Sequence, residues 1–301
     1  MSKENTAVTK KKIKRCKEDV VFDAACFIIL TLVLFVVAYP LYWVIISSIS
    51  APSAVSSGKV LLHPIGFTLK GYAEVFKNDQ VMRGFLNSLI ITFCGVMVNL
   101  IVTLPTSYAL SRSNFSGKKP ITIFYLITMF FGGGLIPTYL VIQRLQMLNT
   151  IWALILPGCL SVYNMIVART FFKSNISEEL YEAAEIDGCT QARFFFQIAL
   201  PLSKAIIAIL VLYYGVGHWN SYFSALVYIS DKAKYPLQLV LRNILITNQT
   251  ALSQTATTAA ARAALQEKQQ LIDVMKYSLI IISSIPVLVM YPLVQKHFVK
   301  G

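Results

Sequence analysis

Charged residues are scarce in this chain. Only 14% of its 301 residues are Asp, Glu, Lys or Arg, whereas 56% are hydrophobic. A soluble domain of ordinary composition carries about a quarter charged residues, so the composition excludes a soluble globular protein. We expect a polytopic membrane protein that is in direct contact with membrane lipid.

Ionisable side chains are almost absent from the apolar runs themselves. Asp23 and Lys276 lie at the edges of such runs, and His218 alone lies well inside one. Transporters that couple to ions usually hold carboxylates or a proton relay within the membrane. The lack of these groups argues against an ion-coupled transporter.

Motifs for catalysis, nucleotide binding and metal binding are also missing. The sequence has no G-x-x-x-x-G-K-[ST] phosphate loop, no H-E-x-x-H zinc motif and no paired carboxylates beside a nucleophile. The five cysteines and three histidines are scattered, so neither a disulfide framework nor a metal site is predicted. We therefore expect no enzyme and no bound cofactor. If ATP drives transport, a partner ATPase uses the ATP and Mg²⁺.

Six apolar runs, each about long enough to cross a bilayer, divide the chain. They predict an all-α protein with six transmembrane helices, preceded by a basic cytoplasmic tail at residues 1–19. The first run is too long for the apolar part of a signal peptide, so residues 20–301 are expected to form one transmembrane domain. The six runs cover residues 24–49, 85–110, 120–141, 151–168, 205–228 and 274–295.

The distribution of basic residues predicts the orientation of these spans. Lysine and arginine are more frequent in the two termini, the 111–119 loop and the 174–204 segment than in the connections between them. By the positive-inside rule, both termini and these two segments lie in the cytoplasm, and the polar segment at 230–273 lies outside. Basic residues beside the spans anchor them at the membrane surface and account for the net charge of +13, so nucleic acid is not an expected partner.

The charged segment at residues 174–204, between the fourth and fifth runs, is called the elbow below. Ser177 is placed to cap a helix whose first turn is acidic, which suits the helix dipole. Gly188 suits the left-handed conformation that ends a helix, and Thr190 is placed to cap a second helix. Pro201 then marks the entry to the fifth run. The sequence predicts helix, tight turn, helix and then membrane.

The elbow also carries a resemblance to a known family. Its pattern, EAA-x3-G-x9-I-x-LP, is similar to the EAA loop of ABC importer permeases, with Ser177 where the family often has proline and Cys189 where the family usually has a small residue. The resemblance implies that this loop forms a coupling helix seated in a cleft of an ATPase subunit. Composition alone leaves a solvated loop equally open. The implied coupling residues are Glu182, Ala183, Ala184, Asp187, Gly188, Ile198, Leu200 and Pro201.

Neutral polar and aromatic residues occur together in the fourth and fifth runs. Amides hydrogen-bond paired hydroxyls and aromatic rings stack on pyranose faces, so these residues suit a sugar on a translocation path. Tryptophan and tyrosine also line membrane interfaces, and asparagine also joins helices, so the sequence leaves both roles open. The candidates are Trp219, Asn220, Tyr222, Tyr163 and Asn164.

Three further stretches extend the resemblance from about residue 20 to the end of the chain. FFGGGLIPTYLV, GHWNSYFSALVY and YPLQLVLRNIL resemble the LplC/YtcP branch of MalG-like carbohydrate importer permeases. The resemblance implies a MetI-like transmembrane fold in a bacterial cell membrane and import of an oligosaccharide. It also implies a second, MalF-like permease, two ATPase subunits and an extracytoplasmic sugar-binding protein as partners. Without it, a channel or facilitator and a membrane assembly scaffold are the alternatives.

Overall fold

The computed structural model describes residues 17–250 and 259–298, and all regular structure within these ranges is helical. The all-α class predicted from the sequence is confirmed. The first helices are α1 (Lys17–Ser48), α2 (Pro52–Ser56), α3 (Lys70–Lys77), α4 (Asp79–Ser111), α5 (Lys118–Phe130), α6 (Leu135–Arg144), α7 (Trp152–Ile155) and α8 (Val162–Asn175). They are followed by α9 (Glu178–Ile186), α10 (Gln191–Phe194), α11 (Leu200–Leu202), α12 (Lys204–Trp219), α13 (Phe223–Tyr228), α14 (Leu237–Thr250) and α15 (Ala259–Phe298).

Three helices are individually long and apolar enough to cross a membrane. They are α1, α4 and the 269–292 part of α15, and they contain most of the first, second and sixth predicted spans. The second span starts earlier than predicted because the side chain of Asn78 caps α4, accepting hydrogen bonds from the backbone N–H groups of Gln80 (3.0 Å) and Val81 (3.3 Å). Helix α1 continues through Pro40.

The other three spans are bent pairs of helices. The bend is 113° between α5 and α6, 51° between the 152–158 turn region and α8, and 80° between the 191–202 region and α12. By length and composition, counting each pair as one span gives up to six spans among the described residues, although the 191–202 part of the last pair belongs to the elbow. The first bend follows from three consecutive glycines, of which Gly134 has a φ of +83°, a conformation that side chains disfavour. The sequence predicted the third and fourth spans at residues 120–141 and 151–168 and did not predict their breaks.

Helix α4 lies at the centre of the domain, in contact with α8, α12 and α14, while α15 packs on α1, α3 and α12. The 230–273 segment holds α14 and the first turns of α15. Most of the basic tail and residues 251–258 lie outside the described residues.

Buried polar side chains hold the broken fourth span in place. The amide of Asn99 donates to the carbonyl oxygens of Gly158 (2.8 Å) and Cys159 (2.9 Å), and its Oδ1 lies 2.7 Å from Nε2 of His218. The imidazole fits there because Gly95 has no side chain; a Cβ at that position would lie 2.5 Å from the ring. Backbone carbonyls freed by a break inside a membrane need such partners.

A second pair of side chains completes this arrangement one helical turn away. The hydroxyl of Tyr214 lies 2.7 Å from that of Thr103 and accepts a hydrogen bond from the backbone N–H of Ser161 (3.2 Å). Asn99 and Thr103 are four residues apart on α4, as Tyr214 and His218 are on α12, so each pair shares one helix face. These four side chains are called the membrane hub below.

Candidate functional site

The first helix of the elbow, α9, has the two ends that the sequence predicted. The hydroxyl of Ser177 accepts a hydrogen bond from the backbone N–H of Leu180 at 3.3 Å. At the other end Gly188 has a φ of +76°, and the N–H of Cys189 donates to the carbonyl of Ala184 at 2.9 Å. This is a Schellman turn, which directs the chain sharply away from the helix axis.

The second part of the elbow begins at its predicted cap and then deforms. The hydroxyl of Thr190 accepts a hydrogen bond from the N–H of Arg193 at 3.3 Å. A π-helical turn at Phe195–Ala199 follows. Pro201 explains this turn, because it has no N–H for the carbonyl four residues earlier and its ring crowds that carbonyl. The 80° bend into α12 comes directly afterwards.

The back of the elbow is an aromatic cluster that joins it to the spans. The rings of Tyr181 and Phe194 lie 5.3 Å apart in an edge-to-face arrangement. Both side chains are buried, and they belong to one core cluster with Tyr108 of α4 and Phe172 of α8. The elbow is thus held by packing, and the interpretation as a solvated loop is wrong.

The front of α9 is exposed. Glu182 and Ala183 lie on the surface, and the carboxylate of Glu182 has no partner among the described residues. Ile186, at the end of the helix, is 86% exposed although its side chain is apolar. The front of α9 thus presents one carboxylate and one large apolar side chain that are free to meet a partner.

The coupling residues implied by the family pattern divide between these two faces. Ala184, Ile198 and Leu200 are half-buried against the aromatic cluster, so they fix the shape of the elbow. The others lie on its surface: Glu182, Ala183, Asp187, Gly188 and Pro201.

Arg112, which sequence reasoning missed, anchors the elbow to the end of α4. Its guanidinium donates to Glu178 at 2.6 Å, and Glu178 also accepts a hydrogen bond from the N–H of Ser113 at 3.1 Å. Burial alone would raise the pKa of Glu178. The hydrogen bonds from Ser113 and the charges of Arg112 and Lys118 outweigh it, so the pKa lies below its ordinary value.

The same guanidinium also lies over aromatic rings of the cluster. Its carbon is 4.1 Å from the ring centre of Tyr181 and about 6 Å from those of Tyr108 and Phe194. Only 13% of the Arg112 side chain is exposed. Arg112 therefore joins α4, α9 and α10 at one point, through one ion pair and three ring contacts. No local pattern reveals this, because 66 residues separate the ion-paired partners.

Trp219 does not face a translocation path, so the prediction that it lines the pathway is wrong. Its side chain is 1% exposed, its indole N–H donates to the carbonyl of Ser283 at 2.9 Å, and its ring meets Phe85 edge-on at 5.7 Å. The indole therefore uses both its donor and its ring surface to pack α12 against α4 and α15. Helix packing, rather than a sugar site or a membrane interface, is therefore the role of this residue.

The remaining pathway candidates are placed differently from one another. Tyr163 is 55% exposed and Tyr222 is 44% exposed, and Asn220 also lies on the surface. Asn164, although it follows Tyr163, is buried at 6%. Among the described residues no hydrogen bond or ring contact joins the fourth-span candidates to those after α12, so the structure brings together no complete sugar site within this chain.

The comparisons with known proteins agree with this architecture. The chain is 35% identical over 280 residues to the polygalacturonan/rhamnogalacturonan transport system permease protein YtcP of Bacillus subtilis, covering 93% of this chain and 96% of that protein. It is 38% identical over 281 residues to protein LplC of the same organism, covering 93% and 92%. No family model matches the chain.

A solved structure shows the same fold. It is the crystal structure of a bacterial ABC transporter involved in the import of the acidic polysaccharide alginate, and the match covers 95% of this chain and 100% of that one. The TM-score is 0.85 at 27% sequence identity. The extent of these matches, over six spans and the elbow, shows that the chain belongs to the permease subunits of ABC importers for oligosaccharides.

Proposed function

We propose that the exposed front of α9 is the surface through which a partner ATPase drives this permease. As a permease of this family, the chain is a multi-pass membrane protein that works with another permease, ATPase subunits that hydrolyse ATP, and a substrate-binding protein. The proposal assigns the contact with the ATPase to Glu182, Ala183 and Ile186, and the transmission of its movement to Gly188 and the aromatic cluster.

The observation that carries the proposal is the division of the elbow into an anchored back and an unpartnered front. Ile186 is 86% exposed, and burying such a side chain completely is worth roughly 1.5–3 kcal/mol. Glu182 lies one turn away on the same helix, where a basic group of the partner would meet it. The back is fixed to α4 and α8, so movement of the front reaches the spans through packed side chains.

The assembly that we propose has two different halves. This chain forms one half of the pathway, a MalF-like permease forms the other, two ATPase subunits lie beneath the elbows, and a sugar-binding protein docks on the opposite side. Both termini and the elbow are then cytoplasmic, and the membrane is a bacterial cell membrane. The charge distribution supports this orientation, because basic residues are concentrated at the termini and around the elbow.

The pathway residues that remain in the proposal are those that the structure leaves free to meet a ligand. Tyr163, Asn220 and Tyr222 are exposed, whereas Asn164 is buried. Relatives of this chain are named for the transport of polygalacturonan, rhamnogalacturonan and galactooligosaccharides, and the transporter of the same fold is involved in the import of alginate. We propose a carbohydrate of several sugar units for this chain also.

A substitution on the front of α9 tests the function directly. Ile186→Glu is expected to lower the retention of co-produced ATPase subunits during purification, and to abolish the stimulation of ATP hydrolysis by the binding protein. Leu61→Glu is the matched control for ATPase retention, because Leu61 is 59% exposed and belongs to the connection between α1 and α4, away from the elbow. Full retention and full stimulation with Ile186→Glu would contradict the proposal.

A further inference from the structure

A cavity of about 430 Å³ opens at the end of α4 that lies farthest from the elbow. It is bounded by the start of α4, the turn at Lys232–Lys234, α14 and α15. A helix of 33 residues is about 50 Å long, so this outer pocket and the elbow lie on opposite sides of the membrane. Its volume is within the roughly 300–1,000 Å³ range of small-ligand sites.

The polar side chains of the outer pocket are mostly amides with free hydrogen-bonding groups. Gln80 and Asn243 have no side-chain partner among the described residues. Asn78 uses its Oδ1 to cap α4, which leaves its NH₂ group free to donate. Side-chain amides donate and accept at once, which suits the paired hydroxyls of a sugar.

One unpaired cation, Lys232, also lines the outer pocket. Its ammonium group makes no hydrogen bond and no ion pair within the described part of the chain. The neighbouring Lys234, in contrast, donates to the backbone carbonyl of Asn149 at 2.9 Å and lies 3.9 Å from Asp231. No carboxylate lines the cavity among the described residues, and of the aspartates next to lining residues, Asp231 and Asp273 are paired with Lys234 and Lys276.

Besides Tyr235, the rest of the lining is apolar and includes Val240 and Met275 of the buried core. Such a surface suits the C–H face of a sugar ring. Amide donors, one free ammonium group and an apolar floor together match a molecule that bears hydroxyls, a carboxylate and apolar faces. We propose that the outer pocket is an entry subsite for the uronic acid units of an acidic oligosaccharide, with Lys232 pairing with a carboxylate. This inference rests on the proposed function, since it assigns a substrate class to the same permease.

The test uses the purified complex in lipid nanodiscs and two matched probes, trigalacturonate and its methyl ester. Saturation-transfer NMR measures binding of each probe to the wild type and to variants. Lys232→Gln is expected to weaken trigalacturonate binding roughly three- to tenfold, as expected for one partly solvated ammonium–carboxylate contact, and to leave the methyl ester unchanged. Asn243→Ala is expected to weaken both probes, because it removes hydroxyl contacts.

Lys59→Gln is the matched control, because Lys59 is an exposed lysine on the same side of the domain but outside the outer pocket. Equal loss of trigalacturonate binding with Lys59→Gln and Lys232→Gln would mean a general effect of surface charge and would overturn the subsite. Unchanged binding with Lys232→Gln would overturn it as well. So would a loss of affinity for the binding protein with sugar binding intact, which would make the pocket a protein contact.

Hydrolysis of ATP separates this inference from the proposed function. A wild-type complex whose hydrolysis is stimulated by its binding protein, but which shows no Lys232-dependent trigalacturonate binding, retains the function and loses the subsite. A complex that binds trigalacturonate through Lys232 but in which Ile186→Glu leaves stimulated hydrolysis intact retains the subsite and loses the proposed coupling surface.

Discussion

Replacing Arg112 by alanine is expected to uncouple the elbow while leaving the spans inserted. The guanidinium is the point where α4, α9 and α10 meet, since it pairs with Glu178 and lies over the ring of Tyr181. Alanine removes both contacts and leaves space beneath the rings of the aromatic cluster. Helix α9 then keeps its own caps but loses its fixed position relative to α4.

The size of the effect follows from the exposure of each contact. The Glu178 side chain is 42% exposed, so the ion pair is screened by solvent and is worth about 0.5 kcal/mol. The cation–π contact at 4.1 Å from the Tyr181 ring centre is better shielded and is worth about 1 kcal/mol. With the lost packing of the arginine stem, the total is about 2 kcal/mol, or roughly a 30-fold shift from docked to undocked elbow.

Two measurements report this shift in the assembled complex. Spin labels at Ser116 and Ala192, on the loop after α4 and on α10, are expected to show a broadened distance distribution in Arg112→Ala. The ratio of stimulated to basal ATP hydrolysis is expected to fall several-fold. Arg112→Lys keeps the charge but not the planar stacking group, so it is expected to recover only part of the ratio.

Arg193→Ala is the matched control for the loss of an elbow arginine. Arg193 lies on the surface of α10 and donates from Nε to Gln197 at 2.9 Å, without contact to the aromatic cluster. We expect both measurements to stay at wild-type values in this variant. If Arg112→Ala gives the same narrow distances and the same hydrolysis ratio as Arg193→Ala, Arg112 does not hold the elbow and the reasoning above fails.

Three further outcomes follow from the elbow. Gly188→Ala should lower the free energy of unfolding by about 1 kcal/mol, measured by thermal unfolding, because its φ of +76° is disfavoured for alanine. No atom lies within 4 Å of the added Cβ, so the loss comes from the backbone alone, and Gly188→Asn should restore most of the stability. Glu182→Lys should leave the unfolding of the permease unchanged and reduce ATPase co-purification; retention equal to wild type would contradict a docking role. The contribution of Glu178 is complete above its ordinary pKa of 4.5 and is lost as pH falls through its lowered pKa, so Glu178→Gln should flatten the pH dependence of thermal stability in that acidic range.

The elbow could be predicted from the sequence because its conformation depends on local contacts. Ser177 and Thr190 cap helices through hydrogen bonds to residues three positions later, and Gly188 ends a helix by its own φ. Such features depend on a few adjacent residues, and the sequence displays them directly. The six apolar runs could be predicted for the same reason, since hydropathy is a property of each segment.

The breaks within the spans and the contacts between them could not be predicted in this way. In the sequence, Asn99 is one polar residue in an apolar run. Only the fold shows that its amide donates to backbone carbonyls at the break in the fourth span, some 60 residues away. Trp219 carries the same ambiguity, because a tryptophan in a membrane protein serves at an interface, at a ligand site or in packing. Its buried indole and the bond to Ser283 decide between these roles.

Helix α4 is the element that joins the three functional regions. It carries Arg112 at the elbow end, Asn99 and Thr103 of the membrane hub in its middle, and Asn78 at the outer pocket. Among the bundle's spans it is also unbroken, whereas α8 and α12 each follow a bend. Because α4 is continuous, we expect a displacement of the elbow transmitted through Arg112 to shift the hub and the rim of the outer pocket together. The bent spans are the parts able to change angle against α4, and we expect that change at the hub, which ties both of them to α4.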